Sequence, residues 1–244
     1  MRSFLIRSFG VVAYLAFLAS FTAFAAFVCG LIPGRDGAPE GPLAAIAVDL
    51  ALVAMFGVTH SAMARQGFKR LITRAIPTAS ERSLFVLVAS VQLAALTYAW
   101  RPLPGWTVWA ASGPAAVALS AVQLAGFGIA LVSTFLIDHL ELFGLRQAFS
   151  PRPTSPSFRT PALYRHVRHP LYLGFLVAFW SAPRMSVGRL CLAAAFTAYI
   201  LVAIRLEERD LVRVHGERYR RYQRDVPMLL PAPPGRAAEE RVAQ

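Results

Sequence analysis

Residues 10–32 read GVVAYLAFLASFTAFAAFVCGLI, a run without a single charged side chain. An α-helix rises about 1.5 Å per residue, so about 20 apolar residues cover the roughly 30 Å hydrocarbon core of a bilayer. This run is long enough to cross. Met1-Arg2-Ser3 and Arg7 ahead of it have the outline of a signal peptide. The apolar stretch of residues 8–32 is longer than the roughly 7–15 residues of a signal core, so a first membrane helix is expected instead.

Working outward, three more runs follow at residues 43–63, 84–100 and 115–137. Pro33-Gly34, Arg65, Arg101-Pro102 and Asp138 bound them. A fifth apolar region, residues 170–204, is interrupted by Ser-Ala-Pro-Arg-Met-Ser at 181–186. Its first half is about a dozen residues, roughly 20 Å of helix, which is short for a full crossing. A helical hairpin is expected there, with the backbone of its turn buried in protein or wet.

Composition agrees. The 244 residues are 56% hydrophobic and 16% charged, with mean hydropathy +0.50; a soluble domain carries about 25% charged residues. The expected fold is an all-α polytopic membrane helix bundle. It has four transmembrane helices within residues 10–137, a C-terminal helical hairpin and a cytoplasmic amphipathic tail helix within 161–231. Residues 1–231 form one domain. Residues 149–160 read as a proline-rich linker, and the polar residues 232–244 as a disordered tail. No internal repeat is visible.

The net charge is +12, and every basic residue except Lys69 is Arg. A basic chain raises nucleic-acid binding as a possibility. The charges follow topology instead. Arg2, Arg7, the loop 65–82, the loop 138–169 and the chain from Arg205 onward hold 21 of the 25 basic residues, all on one side if the chain alternates. That side is cytoplasmic, with both termini. The other side keeps Arg35, Arg101, Arg184 and Arg189. Cys29 and Cys191 lie in apolar runs and offer neither a disulfide framework nor metal spacing. Five histidines, of which only His166 and His169 are close in sequence, are too few for a metal-dependent membrane oxidase, so no metal is expected.

Three constellations carry the chemistry. In Arg165-His166-Val167-Arg168-His169-Pro170-Leu171-Tyr172-Leu173-Gly174, proline suits a first helical turn, so Arg168 and His169 stand at a helix N-terminus that favours an anion. The plain alternative is a basic flank anchoring a membrane helix. Next come Arg205-Leu206-Glu207-Glu208-Arg209-Asp210 at the end of an apolar run, where carboxylates are costly unless solvated or paired. They suit an ammonium or ribose hydroxyls, or else an ion-pair network with the neighbouring arginines. Last, Glu208, Leu211, His215, Tyr219 and Tyr222 fall near one helical face, with Gly216 as a potential break. The tyrosines could stack on a base, or anchor an interfacial helix.

The pattern Arg-His-Pro-x-Tyr-x-Gly, a hairpin-length apolar region, Glu-Glu, then Gly-x-x-Tyr-x-x-Tyr and Val-Pro resembles the isoprenylcysteine carboxyl methyltransferase superfamily of membrane enzymes that use S-adenosylmethionine. Like them, the chain has no glycine-rich cofactor loop; its one Gly-x-Gly, Gly126-Phe127-Gly128, sits in a membrane run. Residues 59–65 (Thr-His-Ser-Ala-Met-Ala-Arg), Phe68-Lys69-Arg70, Pro77 and Glu81-Arg82-Ser83 resemble the NnrU-like branch. Residues 133–139 (Ser-Thr-Phe-Leu-Ile-Asp-His) and 141–147 (Glu-Leu-Phe-Gly-Leu-Arg-Gln) resemble the methanethiol S-methyltransferase family. Tyr172 stands where some of these enzymes carry Met and matches the wider superfamily.

The resemblance implies a bacterial inner-membrane enzyme that methylates a small thiol. Its cofactor site would be lined by His169, Pro170, Tyr172 and Gly174, with Arg168 near the cofactor carboxylate. Glu207 or Glu208 would take the amino group or ribose, and Tyr219 and Tyr222 the adenine. A thiolate is the competent nucleophile, and an ordinary thiol has a pKa of about 8.5, so the site should either lower that pKa, helped by the sulfonium charge and nearby Arg, or offer a base. His60 or the Asp138-His139 pair are the candidates. Ser61, Arg65, Glu81, Arg82 and Glu141 would shape the thiol pocket. The C-terminal half alone equally suits another acceptor: hydrogen sulfide, another thiol, a prenylcysteine carboxylate or a lipid amine. A non-enzymatic NnrU-type accessory protein is the remaining alternative. The oligomeric state is open.

Overall fold

The computed structural model of the protein describes residues 1–32, 41–101, 103, 106–150 and 159–231. The expected linker falls largely, and the expected disordered tail wholly, outside the described residues. Among the described residues, five helices are long and apolar enough to cross a membrane: α1 (Arg2–Val28), α2 (Pro42–Met63), α4 (Glu81–Ala99, led by a 3-10 turn Thr78–Ser80), α5 (Gly113–Ile137) and α9 (Val187–His215). Shorter helices lie between them: α3 (Gln66–Ile72), α6 (His139–Leu142), α7 (Leu145–Phe149), α8 (Pro170–Trp180) and, last, α10 (Glu217–Asp225). Large apolar side chains such as Leu15, Val58, Val117, Leu124, Phe135 and Val202 are exposed along the long helices, as lipid contact requires. The chain is a multi-pass membrane protein.

The helix starts have local causes. Gly41 is extended and Pro42 opens α2; His169 is non-helical and Pro170 opens α8, where a missing N–H costs nothing. The Ser186 hydroxyl accepts from the Arg189 amide at 3.4 Å at the head of α9. Inside the apolar helices, Ser90, Thr97, Ser120, Ser133 and Thr197 donate to the carbonyl four residues earlier. Polar groups that would be costly in hydrocarbon are thereby satisfied. The first helix begins at Arg2, eight residues ahead of the apolar run, because nothing in residues 2–9 breaks a helix.

The short helix α8 has 11 residues, roughly 16 Å, and does not span a bilayer. It lies against α5 with their backbones in contact. A Cβ on Gly174 would sit 2.5 Å from the Gly126 carbonyl oxygen, and one on Gly126 would sit 2.6 Å from the Ala178 nitrogen. Two glycines facing each other make this seam. The main core gathers Phe24, Leu96, Trp100, Phe179, Phe196, Ile200 and Ile204. A second cluster holds Ala13, Met63, Phe85, Val86 and Phe143.

The all-α expectation needs one correction. A small antiparallel ribbon pairs β1 (Thr107–Ala110) with β2 (Arg184–Ser186), in the turn of the hairpin. The Trp109 indole donates to the Ala182 carbonyl at 3.0 Å, and Val187 and Ala111 amides extend the pairing. Ser181, Ala182 and Met185 are buried. The turn backbone is thus satisfied by the loop ahead of α5. Strands this short leave no readable periodicity in a sequence.

Candidate active site

The N-terminus of α8 meets the far end of α9 and the tail helix α10 around one carboxylate. Glu208 Oε1 accepts from Arg168 Nε at 2.7 Å, and His169 Nε2 lies 3.0 Å from the same oxygen. Glu208 Oε2 accepts from Gln223 Nε2 at 2.9 Å. The Tyr219 hydroxyl adds a long contact to Oε1 at 3.5 Å. Arg168 Nη1 also donates to the Gln223 and Val226 carbonyls at 2.9 and 2.5 Å. The Arg168 and His169 amides donate to the Pro227 and Met228 carbonyls. Arg168, His169 and Glu208 therefore clasp the tail to the hairpin. His169 and Tyr219 are buried.

Glu207 differs. It is exposed, and the Tyr172 hydroxyl donates to its Oε2 at 3.0 Å. Pro170 is fully buried at the first turn of α8. Gly174 turns to α5 in the glycine seam, where its missing side chain allows close packing. Gly216 ends α9 with φ of 56° and is the break it could have been, so residues 208–222 fall on two helices. The bend brings Tyr219 back toward Glu208, and the Tyr222 hydroxyl donates to the Tyr164 carbonyl at 2.5 Å. Burial pushes Tyr222 up to about 12, against the opposing pull of Arg168. Burial also raises Tyr164 and Tyr219, with Glu207 and Glu208 respectively adding to the shift. All three phenols stay protonated donors at neutral pH.

The two candidate bases part company. His139 is buried, with Tyr14 Oη 2.8 Å from Nε2 and Thr134 Oγ1 2.8 Å from Nδ1. The Thr134 hydroxyl donates onward to the Leu131 carbonyl, so it accepts from Nδ1–H, and the Tyr14 hydroxyl donates to Nε2. Both nitrogens of a neutral imidazole are taken, and burial lowers its pKa from the ordinary value. Asp138 points away from it, capping the Glu141 amide at 3.1 Å and pairing with Arg146 at 2.9 Å. The expected dyad of Asp138 and His139 is absent among the described contacts, as adjacent residues diverge. His60 lies in an aromatic chamber between Phe56 and Phe85, ring centroids 5.2 and 4.7 Å away. Its Nδ1 is buried and has no hydrogen-bond partner among the described residues.

The expected pocket residues are differently placed. Ser61 hydrogen-bonds the Tyr199 hydroxyl. The Arg82 guanidinium covers the Phe85 ring at 4.6 Å, and its Nε donates to the Leu142 carbonyl at 2.7 Å. Glu81 is buried at the start of α4, and Glu141 sits half-buried in α6. Arg65 ties α2 to α9 through Asp210 and the Leu206 carbonyl. Gln223, Tyr164, Tyr199 and Tyr14 were not singled out by sequence. Gln223 and Tyr164 flank recognised motifs, whereas Tyr14 and Tyr199 lie in apolar runs where nothing distinguishes them.

A multi-pass helical membrane protein with a polar junction at the mouth of a short embedded helix is the class these features define. Residues 43–226 match the family model described as a protein of unknown function, DUF1295. Methanethiol S-methyltransferase of Mycobacterium tuberculosis is 46% identical over 241 residues, covering 96% of this chain and 98% of that one. Methanethiol S-methyltransferase 2 of Bradyrhizobium diazoefficiens is 46% identical over 230 residues, covering 91% and 88%. Nurim of Xenopus laevis is 30% identical over 186 residues, covering 70% and 64%. No solved structure matches. The chain belongs to the methanethiol S-methyltransferase family.

Proposed function

We propose that the protein methylates methanethiol to dimethyl sulfide, with S-adenosylmethionine as donor, at the cytoplasmic face of a bacterial inner membrane. The observation that carries this reading is the identity shared, over more than nine-tenths of the chain, with proteins named methanethiol S-methyltransferase. In this reading four helices (α1, α2, α4 and α5) cross the bilayer, α8 and α9 form the hairpin, α10 lies on the cytoplasmic surface, and both termini are inside.

S-adenosylmethionine, when bound, supplies an electrophilic methyl group on a positively charged sulfur. The residues present fit such a group. The exposed carboxylate of Glu207 suits an ammonium or a ribose diol, and Tyr172 holds it in place. His169 and Pro170 form the wall beside it. The half-buried Tyr222, its ring 5.7 Å from that of the buried Tyr219, offers aromatic surface for a purine. Glu208 and Arg168 position this wall by holding the tail to α8.

In this reading His60 takes the thiol proton, since its buried Nδ1 has no hydrogen-bond partner among the described residues. Phe56 and Phe85 suit a small apolar acceptor, and Ser61, Arg65, Glu81, Arg82 and Glu141 shape the approach to it. His139 and Asp138 hold the junction of α5, α6 and α7.

The test is purified protein given labelled S-adenosylmethionine and methanethiol, with dimethyl sulfide measured in the headspace. Wild-type product that disappears in Glu207→Ala and His60→Ala supports the reading. Folded protein that neither binds the donor nor yields product overturns it.

A further inference from the structure

The tail helix sorts its arginines. Arg220 and Arg224 share Glu217, the latter at 2.7 Å. Arg218 and Arg221, one turn apart, line a different space, an open cavity between α10 and the segment leading into α8. From that segment Arg159 and Arg165 line the same cavity, and Tyr222 forms part of its wall. Among the described residues, one acidic side chain, Asp225, lines the cavity with the four arginines.

Among the described lining residues, four guanidinium groups against one carboxylate leave an excess of positive charge. Guanidinium forks match the oxygens of a phosphate. S-adenosylmethionine carries a sulfonium, an ammonium and one carboxylate, a net positive charge that such a wall repels. The cavity is therefore separate from the donor site, although Tyr222 borders both. Its surroundings are those of an interface. Arg165 ends a helical turn five residues before α8 enters the apolar bundle, and Leu230, just beyond α10, is exposed. A phosphate carried on acyl chains would reach the arginines while its chains stay against α8.

We propose that this cavity binds the phosphate of an anionic phospholipid of the leaflet that faces α10. The assignment of that leaflet as cytoplasmic rests on the orientation proposed above. Bound there, the headgroup joins the lead-in of α8 to α10 from the outside, as Arg168 and Glu208 join them from within.

The experiment is native mass spectrometry of the full chain in neutral detergent, titrated with phosphatidylglycerol or phosphatidylcholine. The wild type is expected to retain phosphatidylglycerol on the order of tenfold better, the effect of roughly one to two arginines acting near the phosphate. Arg165→Gln/Arg221→Gln should lose that preference and keep donor binding, while Arg165→Lys/Arg221→Lys should keep most of it. Equal preference in the Gln pair would overturn the site. Displacement of the lipid by inorganic phosphate at equal concentration would also overturn it, pointing to a soluble anion. Lipid retention is read without turnover, so protein that prefers phosphatidylglycerol yet makes no dimethyl sulfide refutes the methyltransferase reading alone.

Discussion

Glu207 and Glu208 are neighbours in the chain and face different environments. Glu208 is held by Arg168, His169 and Gln223, whereas Glu207 is exposed with Tyr172 on one oxygen. Two substitutions should therefore fail differently. Glu208→Ala leaves Arg168 and His169 without their shared carboxylate and is expected to cost roughly 3 kcal/mol, seen as a lower melting temperature. Glu207→Ala should melt like the wild type and lose donor affinity at least about tenfold by calorimetry, the cost of one charge-assisted contact.

At His60, alanine is expected to lower kcat/KM by roughly a hundredfold or more with donor affinity unchanged. Its activity should also climb with pH toward the ordinary thiol range, as solution supplies the thiolate that the enzyme no longer makes. A pH profile parallel to that of the wild type would remove His60 as the base.

The buried His139 makes stability depend on pH. Its folded pKa lies below its unfolded value, so the unfolded chain binds the proton more readily. The contribution is full above the ordinary histidine pKa of about 6.5 and is lost as pH falls below it, at up to about 1.4 kcal/mol per pH unit. Melting temperature should drop between about pH 7 and pH 5, and His139→Gln should flatten that drop.

The seam between α5 and α8 tolerates no side chain. Gly174→Ala places a Cβ 2.5 Å from the Gly126 carbonyl, and the helices must separate to admit it. A loss of roughly 1–3 kcal/mol is expected, measured as reduced yield and melting temperature in detergent. Donor affinity of the folded fraction should change little, since Gly174 faces α5.

Much of this was legible in the chain. Long apolar runs marked the long helices, and Pro170 marked the start of α8, because lipid and helix geometry act through composition and local backbone rules. The Arg-His-Pro and Glu-Glu motifs did meet in space. Their division of labour was not readable, since which of two adjacent carboxylates turns inward depends on where α10 comes back after Gly216. The fate of His139 was equally hidden: its partner Tyr14 stands 125 positions away in an apolar run. Gly174 read as part of a motif, while its neighbour Gly126 carried no signal until the two helices were side by side.

The shortness of α8 bears on how the protein is made. An 11-residue apolar segment is too brief for insertion machinery to accept by itself. It has to be taken into the bilayer as cargo of its neighbours, drawn in by α9 and received by the glycine track of α5. The half of the chain that carries the Arg-His-Pro and Glu-Glu motifs is then born dependent on the other half. A fragment starting after residue 137 would leave the ribosome without the surface that shelters its shortest helix.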